Sequence, residues 1–238
     1  MKKVAIGAVL ALGLGTVGQV TADDYQPAGF ADGTLEYLES ALASPALTED
    51  YPVASVYCQA AVDEQGSSSD VACYERDGFD QLRLQVEEAF TGRRFTPARV
   101  DGETAAVRMV FRVVYADLEG QPPIMILPNL GLMQGEFGYQ YSAPQELLGD
   151  RNWYALYQSD GRGEGNPFFR GEGRKTRVEA WVNANGRVAS ARRLQTHGRY
   201  KRDAKVVERA LEDSRFIPGM VSGEPERMRY VAVLSYPQ

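Results

Sequence analysis

Few residues in this 238-residue chain have the types and spacing for chemistry, and their surroundings argue against most of it. The only histidine, His197, lies in a basic, polar stretch, and no Gly-x-Ser-x-Gly elbow supplies a nucleophile for it to activate. A surface-loop histidine is the plainer reading, and an envelope hydrolase built on His197 is the alternative. Glu87 and Glu88 fall on the solvent face of an amphipathic pattern, where a general acid and base would share no cavity. Gly161, Gly163, Gly165, Gly171 and Gly173 fit neither the Rossmann nor the Walker spacing and read as linker. No acidic loop has calcium-site spacing, and one His with two Cys makes a poor metal set, so neither a metal nor another cofactor is expected. The chain is therefore read as no enzyme.

Cys58 and Cys73 carry the clearest covalent chemistry. They flank a turn at Gln65-Gly66, and a tight turn there sets residues whose numbers sum to 131 opposite one another, as 58 and 73 do. A cross-strand disulfide is expected, with two free thiols as the alternative. Such a bridge would stabilise by about 3 kcal/mol in the chain-entropy model. No redox Cys-x-x-Cys is present.

The elements around these residues show an internal repeat. Arg93 to Glu103 (RRFTPARVDGE) matches Ser214 to Glu224 (SRFIPGMVSGE) at an offset of 121, with Arg94, Phe95, Pro97, Val100, Gly102 and Glu103 recurring unchanged. Downstream, Val107 to Tyr115 answers Met228 to Tyr236, and upstream Ala89-Phe90 answers Ala210-Leu211. With a one-residue slip, the turn at Val62 to Gly66 answers Val182 to Gly186. The order of turn, helix, Phe-x-Pro corner and strand reads as a duplication. Val178 and Leu194 stand where the second copy would carry the cysteines, which predicts an apolar pair in place of a bridge.

Each copy reads as strand, strand, helix, strand. Val56, Cys58, Ala60 and Val62 alternate with a period of two, as do Val178, Ala180 and Val182. Phe79, Leu82, Val86, Ala89 and Phe90 recur at spacings of three and four, as do Tyr200, Ala204, Val207 and Leu211. Pro97 or Pro218 stops the helix from continuing. In the last strand Val107, Met109, Phe111, Val113 and Tyr115 share one side, with Arg108 and Arg112 on the other. The expected class is α+β, two small antiparallel β-β-α-β units with helices on one face. A helix is expected over 34–43 and another from Pro144 to about Tyr157.

The ends and the charge bound the compartment and partners. Lys2-Lys3, the apolar run Val4 to Leu14 and the exit Val20-Thr21-Ala22 read as an export signal cleaved after Ala22, with a retained anchor as the alternative. The organisation is then 1–22 signal peptide, 23–115 first unit with its N-terminal helix, 116–176 linker containing a helix, and 177–238 second unit. No later run is long enough to span a bilayer. After cleavage, 24 basic residues face 32 acidic ones, which argues against nonspecific nucleic-acid binding. The basic clusters Arg170 to Arg177 and Arg187 to Arg202 read as a solvated face.

In each of two regions of about 60 residues, this order of hairpin, amphipathic helix, aromatic-x-Pro corner, Gly turn and alternating strand resembles the carboxy-terminal domain of TonB. Tyr51-Pro52 and Ala54 resemble that family's Tyr-Pro-x-x-Ala, with one residue in place of two between Pro and Ala. The resemblance implies a periplasmic protein that binds an envelope or outer-membrane protein segment by sheet-edge addition. The chain has 12 Pro without a Pro-rich tract, and its His lies far from the leader, so energy transduction is not expected. The residues expected to meet a partner are Tyr51, Pro52, Arg108, Val110, Arg229, Val231 and Val233. A purely structural role, in which the two units only stabilise one another or a homodimer, is the other alternative.

Overall fold

A computed structural model describes residues 24–42, 45, 47–49, 52–75, 78–116, 123–160, 165–168 and 174–236. Residues 1–22, expected to form an export signal, Tyr51 and most of the Gly-rich stretch 161–173 lie outside the described residues. No helix among the described residues is long and apolar enough to cross a membrane.

The protein is α+β, with almost all of its strands antiparallel. In the first half, β1 (Val53–Val62) lies between β2 (Ser68–Tyr74) and β3 (Val107–Ala116), and the helix over Thr34–Ala41 (α1) precedes them. The alternation works as the period of two requires: Val56, Cys58, Ala60 and Val62 are fully buried, as are Val107, Met109, Phe111 and Val113. Against this face the helix α2 (Asp80–Phe90) lays Leu82, Val86, Ala89 and Phe90. Cys58 and Cys73 sit directly opposite each other, 4.1 Å apart at Cα, and are joined by a disulfide.

Residues 175–235 run through the same order. β6 (Lys175–Val182) lies between β7 (Val188–Gln195) and β8 (Met228–Ser235), and the helix over Lys201–Asp213 buries Ala204, Val207, Ala210 and Leu211 against them. Gly66 and Gly186 show why the Phe-x-Pro corner recurs. Both have positive φ (80° and 69°), and their carbonyls accept the amides of Phe95 and Phe216 at 2.6 and 3.0 Å. A Cβ on either glycine would collide with the carbonyl oxygen of that phenylalanine. Past each corner a short hairpin turns through Asp101-Gly102 or Ser222-Gly223, with positive φ at both residues of each turn.

Three expectations need correction. Leu194 does not oppose Val178: a bulge between Arg177 and Val178 sets Arg193 there, and Leu194, 45% exposed, falls to the other face. The stretch 144–157 is not one helix. Gln145–Leu147 (β5) is a strand wedged between β3 and Phe216–Ile217, and the helix α3 (Trp153–Ser159) starts only where Asn152 caps it by accepting the Ala155 amide at 2.8 Å.

The third correction concerns 116–176, which is more than a connection. Tyr141–Ser142 pairs with Met220–Val221 just as Tyr25–Gln26 pairs with Arg99–Val100, and Glu146 opposes Phe216 as Phe30 opposes Phe95. A short helix then follows in each half, α1 after the first pair of strands and α3 after the second. The recurring order of elements therefore starts earlier than the repeat in the sequence. Between the halves, β4 (Ile124–Leu127) folds back along the outer edge of β3.

Candidate functional site

The last strand of each half offers the same main-chain groups outward, and among the described residues only one is largely covered. In β8, Tyr230, Ala232 and Leu234 turn into the core beneath the helix Lys201–Asp213, so Arg229, Val231 and Val233 share the opposite face. Ser235 exchanges both backbone bonds with Asn166 on the side away from β6, each at 2.8 Å. Residues two apart on a strand point their amides and carbonyls the same way, so those of Arg229, Val231 and Val233 also point to this outer edge. Among the described residues no strand pairs there, and β8 is the edge of its three-stranded sheet.

Beside this edge lies a cleft of about 140 Å³. Val231 and Val233 form one wall, and the bulged Leu194 joins them with Leu130 and Leu132 from the segment between the halves. Lys175, Arg177 and Arg229 supply positive charge, and Tyr74 of the first half closes one end, with Lys175 Nζ 5.8 Å from its ring centroid. A narrower extension brings Val110 and Val231 into one wall with Tyr141 and Ala143. The expected residues Val110, Arg229, Val231 and Val233, read from two separate copies, thus converge on one place.

The electrostatics there are uneven. Glu179, fully buried, takes Arg192 Nε at 2.6 Å and Arg229 Nε at 2.8 Å, so one carboxylate serves two guanidinium groups. Burial pushes its carboxyl up, but the bonds from Arg192 and Arg229 outweigh that and hold it below the usual range. Arg177 has no ion-pair partner among the described residues. The wider setting is basic too: residues 174–215 carry twelve Lys and Arg against five Asp and Glu, while 24–116 carry seven against sixteen. A chain that is acidic overall therefore concentrates positive charge in the segment that brings Lys175 and Arg177 to this cleft.

Arg108, the counterpart of Arg229, is placed differently. It is 4% exposed, and its Nε lies 3.1 Å from Glu146 Oε2 without its N–H aimed at the oxygen, while Nη1 donates to the Pro167 carbonyl at 3.1 Å. Glu146, fully buried, also accepts the Trp153 amide at 3.0 Å, and Trp153 Nε1 donates to Tyr230 Oη at 3.2 Å. Burial pushes the Glu146 carboxyl up to about 7 in spite of Arg108. Residues of β3, β5, α3 and β8 meet here, so the cluster clamps the two halves together. Nothing in the spacing of Arg108 and Glu146 along the chain signals the pair. Their contact depends on where β5 docks.

Pro52 is half-buried just ahead of β1, and Tyr51 lies outside the described residues. His197 is exposed, with its ring 6.2 Å from that of Tyr200. Among the described residues no three His, Cys, Asp or Glu side chains gather in a way that could hold a metal. No family model matches the chain, and neither a curated protein nor a solved structure does.

Proposed function

We propose that this chain is an exported, non-catalytic interaction protein of the periplasm, made of two copies of a TonB-C-like unit. It binds an extended segment of an envelope or outer-membrane protein by adding it as a strand to the outer edge of β8. The observation that carries this reading is the run of outward main-chain groups at Arg229, Val231 and Val233 beside an apolar and basic cleft. Main-chain bonds would give affinity, and alternate side chains would enter the cleft. Val231 and Val233 favour apolar residues at those positions, and Lys175, Arg177 and Arg229 favour carboxylates beside them. The His197 carbonyl accepts the Tyr200 amide at 2.8 Å, its side chain makes no hydrogen bond or ion pair among the described residues, and no observation favours a hydrolase built on it.

Photo-crosslinking in the native host tests this, with a probe at Val231 and a control probe at Glu87. A Val231-specific crosslink to one envelope protein, lost in Val231→Pro with the fold intact, is expected. A crosslink within the chain itself, or binding unchanged by Val231→Pro, would replace edge addition with the purely structural role. The Asn166–Ser235 bridge gives that second reading its footing, because the chain already pairs one residue on this edge.

A further inference from the structure

The two halves differ at a second place, where the short helix meets the end of the long one. In the second half α3 opens on Trp153, which is fully buried in a cluster with Leu211 and Phe216 and anchored by its bond to Tyr230. Leu211 and Phe216 are the counterparts of Phe90 and Phe95. In the first half α1 opens on Thr34, whose hydroxyl donates to the Ala31 carbonyl at 2.6 Å, and a cavity of about 200 Å³ lies beside it. The short helix thus opens on a buried indole in one half and beside an open space in the other. A cavity of about 150 Å³ lined by apolar side chains is enough to take a benzene ring.

The walls of this cavity define what would enter. Phe30, Phe90 and Phe95 form an aromatic floor, with ring centroids 5.7 to 6.0 Å apart, and Leu38 and Ala89 complete it. Arg93 and Arg94 stand at the rim. The Arg93 guanidinium lies 3.7 Å from the Tyr37 ring centroid, and its Nε donates to the Ala89 carbonyl, which fixes the charge at the mouth. Neither arginine is ion-paired among the described residues, and the one acid on the rim, Asp32, is exposed to solvent. An aromatic floor under two guanidinium groups suits a ring that bears a carboxylate, because burial of the ring and a charge-assisted bond at the rim act on one small molecule.

We infer that the first half binds a small aromatic carboxylate in this cavity, independently of the edge of β8. The test is an amide-resolved NMR titration of the exported protein with indole-3-acetate, and with indole-3-acetamide as its neutral isostere. Saturable shifts confined to Phe30–Leu38 and Ala89–Phe95 are expected, with the amide at least about tenfold weaker, the scale of one charge-assisted hydrogen bond. The double variant Arg93→Gln, Arg94→Gln is expected to bind acid and amide alike. Thr34→Trp is expected to fill the space and abolish binding, and Ala89→Leu does the same should Thr34→Trp fail to fold. Absence of shifts at millimolar ligand, shifts centred elsewhere, or undiminished binding in a cavity-filled variant that folds would overturn the proposal. So would equal affinity for acid and amide in the unaltered protein.

Discussion

β3 and β8 hold matching places in two runs of elements and sit in different settings. At an offset of 121, Arg108 answers Arg229, Val110 answers Val231, and Arg112 and Val114 answer Val233 and Ser235. In β3 the outward groups are mostly taken: Arg108 meets Glu146 of β5, while Arg112 and Val114 meet Leu127 and Met125 of β4. Val110 alone faces no strand among the described residues, and it is buried beside a small cavity that it lines together with Leu130, Leu132 and Tyr141. Among the described residues, the corresponding cover of β8 stops at Asn166. An edge strand is a liability unless it is covered or used. The segment between the halves covers the first edge with two strands and leaves the second beside a charged cleft.

The largest effect that would sharpen this contrast is in hydrogen exchange. The amides of Val231 and Val233 should exchange on the order of a thousandfold faster than those of Arg112 and Val114, which sit in a two-sided ladder. Comparable protection at both sites would mean that the edge of β8 is occupied, and the contrast would fail. Next comes the pair of equivalent arginines. Arg108→Ala removes the counter-charge of a fully buried carboxylate and should cost about 3 to 5 kcal/mol at pH 8, read by denaturant unfolding. Arg229→Ala leaves Glu179 with Arg192 and should cost about 1.5 kcal/mol. Equal losses would show that the two settings do not differ energetically.

The smallest effect is in the pH dependence, where the two carboxylates have opposite signs. Glu146 has its folded value raised from 4.5 to about 7, so the folded protein holds a proton there that the unfolded chain has released. Its contribution is complete below about 4.5 and is lost as the pH rises through about 7. Glu179 has its folded value lowered, so its contribution is present above about 4.5 and is lost in acid. The melting temperature should therefore fall between pH 5 and 8, and Glu146→Gln should remove that slope while leaving the acid limb. A slope that persists in Glu146→Gln would place the titrating group elsewhere.

Much of the fold was legible because its signals are local. The period of two in β1 and β3, the spacing of Leu82, Val86 and Ala89, and the paired corners at Phe95 and Phe216 each follow from neighbouring residues. The hairpin at Gln65-Gly66 is equally local, but its turn alone would not bring Cys58 to Cys73. Val62 opposes Ser68 and Ala61 opposes Ser69, and an irregularity between Gln59 and Ala61 shifts the register by one to pair the cysteines. Tyr141 to Leu147 was not legible: its strands are two or three residues long and take their identity from the Phe216 corner and from β3, across the fold. The face of Leu194 was lost for a related reason, because a single bulge inverts side-chain direction and leaves no mark in composition.

The candidate site divides along the same line. Sequence by itself determined that Arg229, Val231 and Val233 share one face of a last strand, because alternation is a property of the extended backbone. It also determined that a hydrophobic side is spent on the helix, and that two regions would repeat this arrangement. Only the tertiary structure decided that Arg108 is buried with Glu146 while Arg229 stands at a cleft, and that, among the described residues, strands pair along the outer edge of β3 while β8 is paired there at Ser235 alone. The reason is that edge pairing and charge burial depend on which distant segment docks alongside, and the strand's own residues carry no record of that segment.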